Sequence, residues 1–264
     1  MLHARRVLSA DRRGSSLPVL VETDDGIRFT KLRGAAQGTG ALVAEMIVAS
    51  LADALGLSTP ARSLVRFEPG IESTDRDGEL RQLLDESAGI NLGFVYLDGA
   101  RVLKPGDVER VNRDDAAAIV WLDRFVMNPD RADRNTNLLW WRNALWLIDH
   151  GAALGFQYEW SAVSESTPAR SVSWFEPHVL RDRVTDLLEW DEILAARLTR
   201  DVIEHAVSDV PDDFFAEVGA ELLRRRRAAF AAFLWKRLKA PRDWVAVAPS
   251  EPRPRQPVPD WIRR

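Results

Sequence analysis

The hydrophobic and polar pattern changes character along the chain. Up to residue 67 the apolar positions come in short β-rich runs. Leu17–Val21 is one such run, Asp24-Asp25-Gly26 is a hairpin turn signal, and Ile27–Leu32 alternates with period two. The glycine-bearing connector 34–40 leads into Ala41–Leu55, whose spacing predicts a helix stopping near Gly56, and Pro60–Phe67 predicts a further strand. Residues 69–113 are charged and punctuated by Gly70, Gly78, Gly89, Gly93, Gly99 and Gly106, and read as hinge and loop. A helix is predicted over Asp114–Met127, then a polar loop over Asn128–Thr136. Leu138–Trp141 and Ala144–Ile148 follow as a tight hairpin around Arg142-Asn143. Beyond Gly151 the pattern is helical, near 178–189, 191–207 and 212–238. Six of the 14 prolines fall in the last 24 residues, which predicts a poorly ordered tail.

This pattern predicts an α+β fold. A small β-rich unit with one helix spans 1–68, a hinge and loop region 69–113, a helical unit 114–240, and the tail 241–264.

Composition narrows the chemistry. The 264 residues suffice for a sizeable core, and 36 basic against 40 acidic residues give a net charge of −4. With no basic excess there is no electrostatic case for a nucleic-acid or polybasic membrane partner. The absence of cysteine excludes disulfides, thiolate catalysis and Cys-ligated metal. The longest apolar run, Ala228–Trp235, has 8 residues, whereas a membrane span needs roughly 20. The first 13 residues carry four arginines and no apolar core, unlike a secretory signal, so a cytoplasmic protein is expected.

Only four of the basic residues are lysine: Lys31, Lys104, Lys236 and Lys239. By strand alternation Lys31 shares a face with Ile27 and Phe29, which places an ammonium on the apolar side, where it either snorkels or needs an anionic partner. Glu45 is the candidate partner, because its helical neighbours Ala41, Leu42, Val48 and Ala49 cannot pair with a carboxylate. A strand lysine followed by a helix glutamate is the kinase arrangement for holding nucleotide phosphates. Gly14-Ser15-Ser16 is a small-residue turn able to cradle phosphate, with a plain hairpin turn as the competing reading. The connector up to Gly40 lacks both the Gly-Lys-Ser/Thr ending of a Walker loop and the dinucleotide glycine spacing, so it is expected mainly to launch the helix, with a place near phosphate left open.

The most informative segment is Asn128-Pro129-Asp130-Arg131-Ala132-Asp133-Arg134-Asn135-Thr136-Asn137-Leu138-Leu139, followed by Leu147-Ile148-Asp149-His150-Gly151. Phosphoryl transfer uses one Asp to orient a hydroxyl and accept its proton, with an Asn and a later Asp on magnesium. The hairpin returns the second Asp to the first loop. The bland alternative is turn chemistry, which also favours Asp and Asn. His150, His178 and His205 lack metal-ligand spacing, and His150 reads as a turn residue with a solvent or carboxylate contact. A pyridoxal-phosphate enzyme fits poorly, since Lys31 lies on the small β-rich unit.

These segments resemble the HipA-like kinases, bacterial members of the protein-kinase-like and phosphatidylinositol-kinase-like fold. The resemblance runs through Gly14-Ser15-Ser16, Lys31, Arg33-Gly34 with Gln37-Gly38-Thr39, the Glu45 helix, the Asn-Pro-Asp-Arg loop and Leu-Ile-Asp-His-Gly-Ala-Ala-Leu. It implies a two-lobed kinase with ATP and Mg²⁺ in a cleft and a protein or small-molecule hydroxyl as acceptor. Carried over by position, Gly14, Ser15, Ser16, Lys31 and Glu45 would bind ATP. Asp130 would be the catalytic base, and Asn135 or Asn137 would join Asp149 on the metal. Ser15 or Ser16 could be self-phosphorylated. Ala132 stands where related lipid-kinase-like loops carry His, and His150-Gly151 follows Asp149 in place of Phe-Gly. These departures leave open a pseudokinase that binds nucleotide without transferring phosphate.

Overall fold

Strand pairing in the first third of the chain closes on itself. The computed structural model describes residues 1–12, 17–35, 38–172, 174, 177–215, 219–239 and 241–246. In chain order the strands are β1 (Leu2–Ala10), β2 (Val19–Thr23), β3 (Gly26–Lys31), β4 (Arg62–Phe67), β5 (Glu72–Ser73) and β6 (Gly89–Val95). β1 pairs with β2, β2 with β3, β3 with β6, β6 with β4, and β4 back with β1. The result is a five-stranded barrel, with β5 added in parallel along the later part of β1. Its interior holds Val7, Val19, Val21, Leu32, Val65 and Phe67.

Closure corrects one sequence expectation. The inward residues of β3 are Arg28 and Thr30, in step with the interior Leu32. Ile27 and Phe29 are on the outer face, and Ile27 is 43% exposed. Lys31 shares that outer face as expected, but it is not buried by the apolar side of a sheet. It is buried by what packs outside the barrel.

That outer layer is α1 (Thr39–Leu55), which is apolar nearly all round and buried along most of its length, as a central helix must be. It ends at Gly56, whose φ of 83° suits glycine. Residues 69–113, expected as loop, contain much regular structure. α2 (Gly78–Glu86) is capped by the Asp77 carboxylate on the amides of Glu79 and Leu80, and it sends Leu80 and Leu84 into the barrel core. β6 is the strand between β3 and β4, so the barrel extends past Phe67 to Val95. The glycine that suggested a loop there is a packing glycine. A Cβ on Gly93 would stand 2.6 Å from Val65 Cγ2 and 3.2 Å from Arg28 Cβ.

The remaining elements are β7 (Arg101–Val102), α3 (Arg113–Phe125), β8 (Leu138–Trp141), β9 (Ala144–Leu147), α4 (Leu188–Arg197), α5 (Arg200–Ser208) and α6 (Ala220–Leu238). β7, β8 and β9 form a second, three-stranded sheet. Asn112 caps α3, with Asp114 and Asp115 in its first turn. The expected helices are shorter than predicted. Among the described residues between Gly151 and Leu187 the helical pieces are short 3-10 turns; Thr199 starts α5 by capping Val202, and Gly219 precedes α6. The tail expectation also needs correction at its start. Trp244 is buried against Trp121 and Phe125, and Arg242 is paired with Asp191 and Glu192. One large apolar cluster joins α1, the outer face of β6, α3 and the later helices. No helix among the described residues is long and apolar enough to cross a membrane.

Candidate functional site

Lys31 ends β3, paired across the sheet with Leu92 of β6. Its Nζ donates to Glu45 Oε1 of α1 and, at 2.6 Å, to Asp149 Oδ1. Glu45 is wholly buried, whereas the Asp149 side chain is 39% exposed. Burial alone would lower the Lys31 pKa, but the Glu45 and Asp149 charges outweigh it and hold the ammonium above its ordinary value. Partial burial opposes the charge on Asp149, and Lys31 overrides it, keeping the carboxyl below its usual range. The two partners proposed for separate roles therefore share one ammonium.

Asp149 reaches Lys31 through the β8–β9 hairpin, which pairs Leu138 with Leu147 and Trp141 with Ala144. Trp141 and Trp146 meet edge to face with centroids 5.1 Å apart. The Ile148 amide donates to the Asn137 carbonyl at 3.1 Å, so the return strand is pinned beside the first loop. Asn137 and Asp149 both have left-handed backbone, with φ of 50° and 58°. Asn and Asp are the side chains that tolerate this conformation best. The turn after Asp149 lies against α1, and a Cβ on Gly151 would stand 3.3 Å from Ala41 Cβ and 3.4 Å from Glu45 Oε1.

Asp130 sits half-buried in the loop. Asn135 Nδ2 donates to its Oδ2 at 3.2 Å. Asn137 Nδ2 donates to its backbone carbonyl at 2.9 Å and approaches Oδ2 at 3.4 Å. Asn135 is exposed and Asn137 is buried. Burial, and next the neighbouring Asp149 charge, push the Asp130 pKa up. The two carboxylates are therefore close enough for the Asp149 charge to act on Asp130. Among the described residues no three His, Asp or Glu side chains form a ready-made metal cage. Magnesium commonly takes one or two carboxylates and completes its shell with phosphate oxygens and water, so this donor set suits it.

The loop carrying Asp130 is held by a buried network that sequence reasoning missed. Asp123 of α3 accepts from Arg131 Nε at 2.5 Å, from Asn128 Nδ2 at 2.8 Å and from His178 Nε2 at 3.0 Å. The Leu180 amide donates to His178 Nδ1, so the neutral ring carries its proton on Nε2, facing Asp123. Burial opposes charge on Asp123, but Arg131 and the His178 hydrogen bond outweigh it and hold the carboxyl far below its ordinary value. Arg131 Nη1 also donates to the Asn137 carbonyl at 2.6 Å, tying both ends of the loop to α3. Outside this core, Arg181 grips Asp133 with two bonds of 3.0 Å. The available signal was Asp123 itself, a carboxylate directly after the apolar run Ala116–Leu122.

His150 differs from its sequence reading. It is buried, and neither ring nitrogen has a hydrogen-bond partner among the described residues. Burial, reinforced by the Arg131 charge, pushes its pKa down to about 3. The ring is therefore a neutral filler behind Asp149. Gly14, Ser15 and Ser16 lie outside the described residues, as does Gln37 of the connector. Gly38, with φ of 63°, precedes α1, in keeping with the connector's expected role of launching that helix.

The overall structure is similar to the crystal structure of a Helicobacter pylori proinflammatory kinase, CtkA. The TM-score is 0.53, at 10% sequence identity, over 87% of this chain and 91% of that one. At that identity the likeness shows the fold alone, which is α+β and kinase-like. No curated protein matches the chain. The family model for HipA-like kinases matches residues 5–244, nearly the whole chain, and the protein belongs to the HipA-like kinase family.

Proposed function

We propose that this kinase is an ATP- and Mg²⁺-dependent phosphotransferase of the serine/threonine type, acting on a hydroxyl of a protein or small molecule. The observation that carries the reading is the Lys31 ammonium held between Glu45 and Asp149, with Asp130 half-buried in the neighbouring loop. In this reading the barrel and α1 form the nucleotide side of a two-lobed kinase, and the helical part forms the acceptor side.

Lys31 would bind the non-transferred phosphates, and Glu45 would keep it aimed. Asp149 and an Asn of the loop would hold the metal. Of the two we favour Asn137, which is buried beside Asp130 and whose carbonyl accepts from the Ile148 amide next to Asp149. The metal, when bound, supplies charge neutralisation on the phosphate oxygens. Asp130 would accept the proton of the acceptor hydroxyl as its oxygen bonds to the γ-phosphorus. The bond from that phosphorus to the β–γ bridging oxygen breaks, and ADP leaves. A carboxyl whose pKa is raised is a better base than an ordinary one. The Asp123 network would keep Asp130 in place without touching substrate.

The decisive experiment combines an ATP/Mg²⁺ thermal shift with radiolabel transfer to the chain itself or to a substrate panel. Wild-type protein should shift and transfer, and Asp130→Ala should shift without transfer. No shift and no transfer, unaltered by Asp149→Asn, would refute the proposal. A second reading, nucleotide binding without transfer, draws on the direct Lys31–Asp149 contact, which occupies the metal-side carboxylate. Binding with no turnover on any acceptor would select it.

A further inference from the structure

The second sheet has two unlike edges. At β9 the Leu147 amide donates to the Ser58 carbonyl at 2.9 Å, and Trp146 forms a bridge with Ser58. At β7 no further strand pairs among the described residues. Leu103 donates to the Leu138 carbonyl at 2.8 Å, and Arg101 is opposite Trp140. By antiparallel alternation the amide and carbonyl of Val102, between them, point away from β8. Val102 is 53% exposed. An open backbone rung beside an exposed β-branched residue is where an extended peptide can add.

Next to that edge is a surface pocket of about 170 Å³, walled by Arg101, Lys104, Asp107, Arg110 and Trp140. Asp107 lies 3.4 Å from Arg110. Arg101 and Lys104 have no carboxylate partner among the described residues. The pocket therefore holds a local surplus of positive charge in a chain whose net charge is −4. It is also tied to the proposed reaction site. Thr136, between Asn135 and Asn137, donates its hydroxyl to the Leu103 carbonyl at 2.9 Å.

We propose that the β7 edge and its basic pocket bind an extended, acidic segment of the protein acceptor. Its backbone would lie along Val102 and its carboxylates on Arg101 and Lys104. That the segment belongs to an acceptor rests on the phosphotransferase reading, but the docking itself requires no nucleotide. A nucleic acid would also meet cations and a tryptophan here. The open backbone rung and the overall negative charge favour peptide.

The test is fluorescence anisotropy on the full chain without ATP, using a labelled peptide of glutamates around one serine. The same peptide with glutamines, an oligouridylate and inorganic phosphate serve as the other arms. The glutamate peptide should bind, weaken as salt rises, and lose about tenfold in affinity to Arg101→Glu/Lys104→Glu, with the glutamine peptide similarly weak. Both side chains are exposed, so the variant should keep the wild-type melting temperature, which separates lost docking from lost folding. The proposal is overturned if the variant binds the glutamate peptide undiminished, if the glutamine peptide binds equally well, if oligouridylate binds more tightly, or if only phosphate binds. ATP and Mg²⁺ titrated separately on wild-type protein report on the phosphotransferase reading. Failure there leaves the docking result standing, and failure of docking leaves that reading standing.

Discussion

Lys31 Nζ and Asp149 Oδ1 are 2.6 Å apart although 118 residues separate them in the chain. That contact exists because β3, α1 and the β8–β9 hairpin converge, and it makes the two carboxylates of the site separable by experiment. Asp149→Asn should abolish the ATP/Mg²⁺-induced rise in melting temperature, whereas Asp130→Asn should retain it. Asp130→Asn should nonetheless lower phosphate transfer by about 10²–10⁴-fold, the range for removing a general base. Equal loss of nucleotide binding in both variants would contradict the division of roles.

Asp123 is wholly buried and balances Arg131, which is also wholly buried. Replacing Asp123 by Ala strands that guanidinium, and urea denaturation should show a loss of about 3–5 kcal/mol. Transfer activity should fall further than stability alone explains, because the loop between Asn128 and Asn137 loses its anchor on α3. A variant within 1 kcal/mol of wild type, on the scale of a weak surface pair, would contradict the buried network.

His150 makes stability sensitive to acid. Its folded pKa lies near 3, below the ordinary 6.5, so the unfolded chain binds a proton that the folded chain refuses. Stability from this residue is complete above pH 6.5 and declines as pH falls toward about 3. Burial also lowers His178, which adds to the same slope. The His150→Leu variant should flatten the decline in unfolding free energy between neutral and mildly acidic pH. An unchanged slope would count against a neutral, buried ring.

Gly151 allows the turn after Asp149 to approach α1. Gly151→Ala should cost about 1–3 kcal/mol through overpacking against Ala41 and Glu45. It should also weaken nucleotide binding, since Glu45 is displaced from Lys31. Calorimetry and an ATP titration on the same sample would check both effects.

Trp244 marks where ordered packing continues into the proline-bearing C-terminal region. It stacks over the Arg237 guanidinium at 4.7 Å, and Arg237 in turn binds the carbonyls of Arg124, Phe125, Pro168 and Arg170. Trp244→Ala should destabilise the protein by about 3–5 kcal/mol in chemical denaturation, as for other buried aromatic truncations. A negligible effect would mean the residue is dispensable for the core.

Much of the candidate site could be read from sequence because its signals are local. Glu45 has no helical neighbour to pair with, Asp149 ends an apolar strand, and a two-residue turn brings it back to the loop of Asp130. What escaped reading depends on distant contacts. Gly93 looked like punctuation because nothing nearby in sequence reveals Val65 across the barrel. The inward and outward faces of β3 are fixed by closure through β1 and β6, not by the hydropathy of Ile27. Asp123 and His178, 55 residues apart, meet only once the helical part has folded. Trp244 was obscured by the prolines around it.

Closure of the barrel has a mechanical consequence. A strand at the edge of an open sheet can fray from its free side, whereas β3 has a paired neighbour on both sides. The ammonium it carries is therefore mounted on a hoop, with β2 on one side of its strand and β6 on the other.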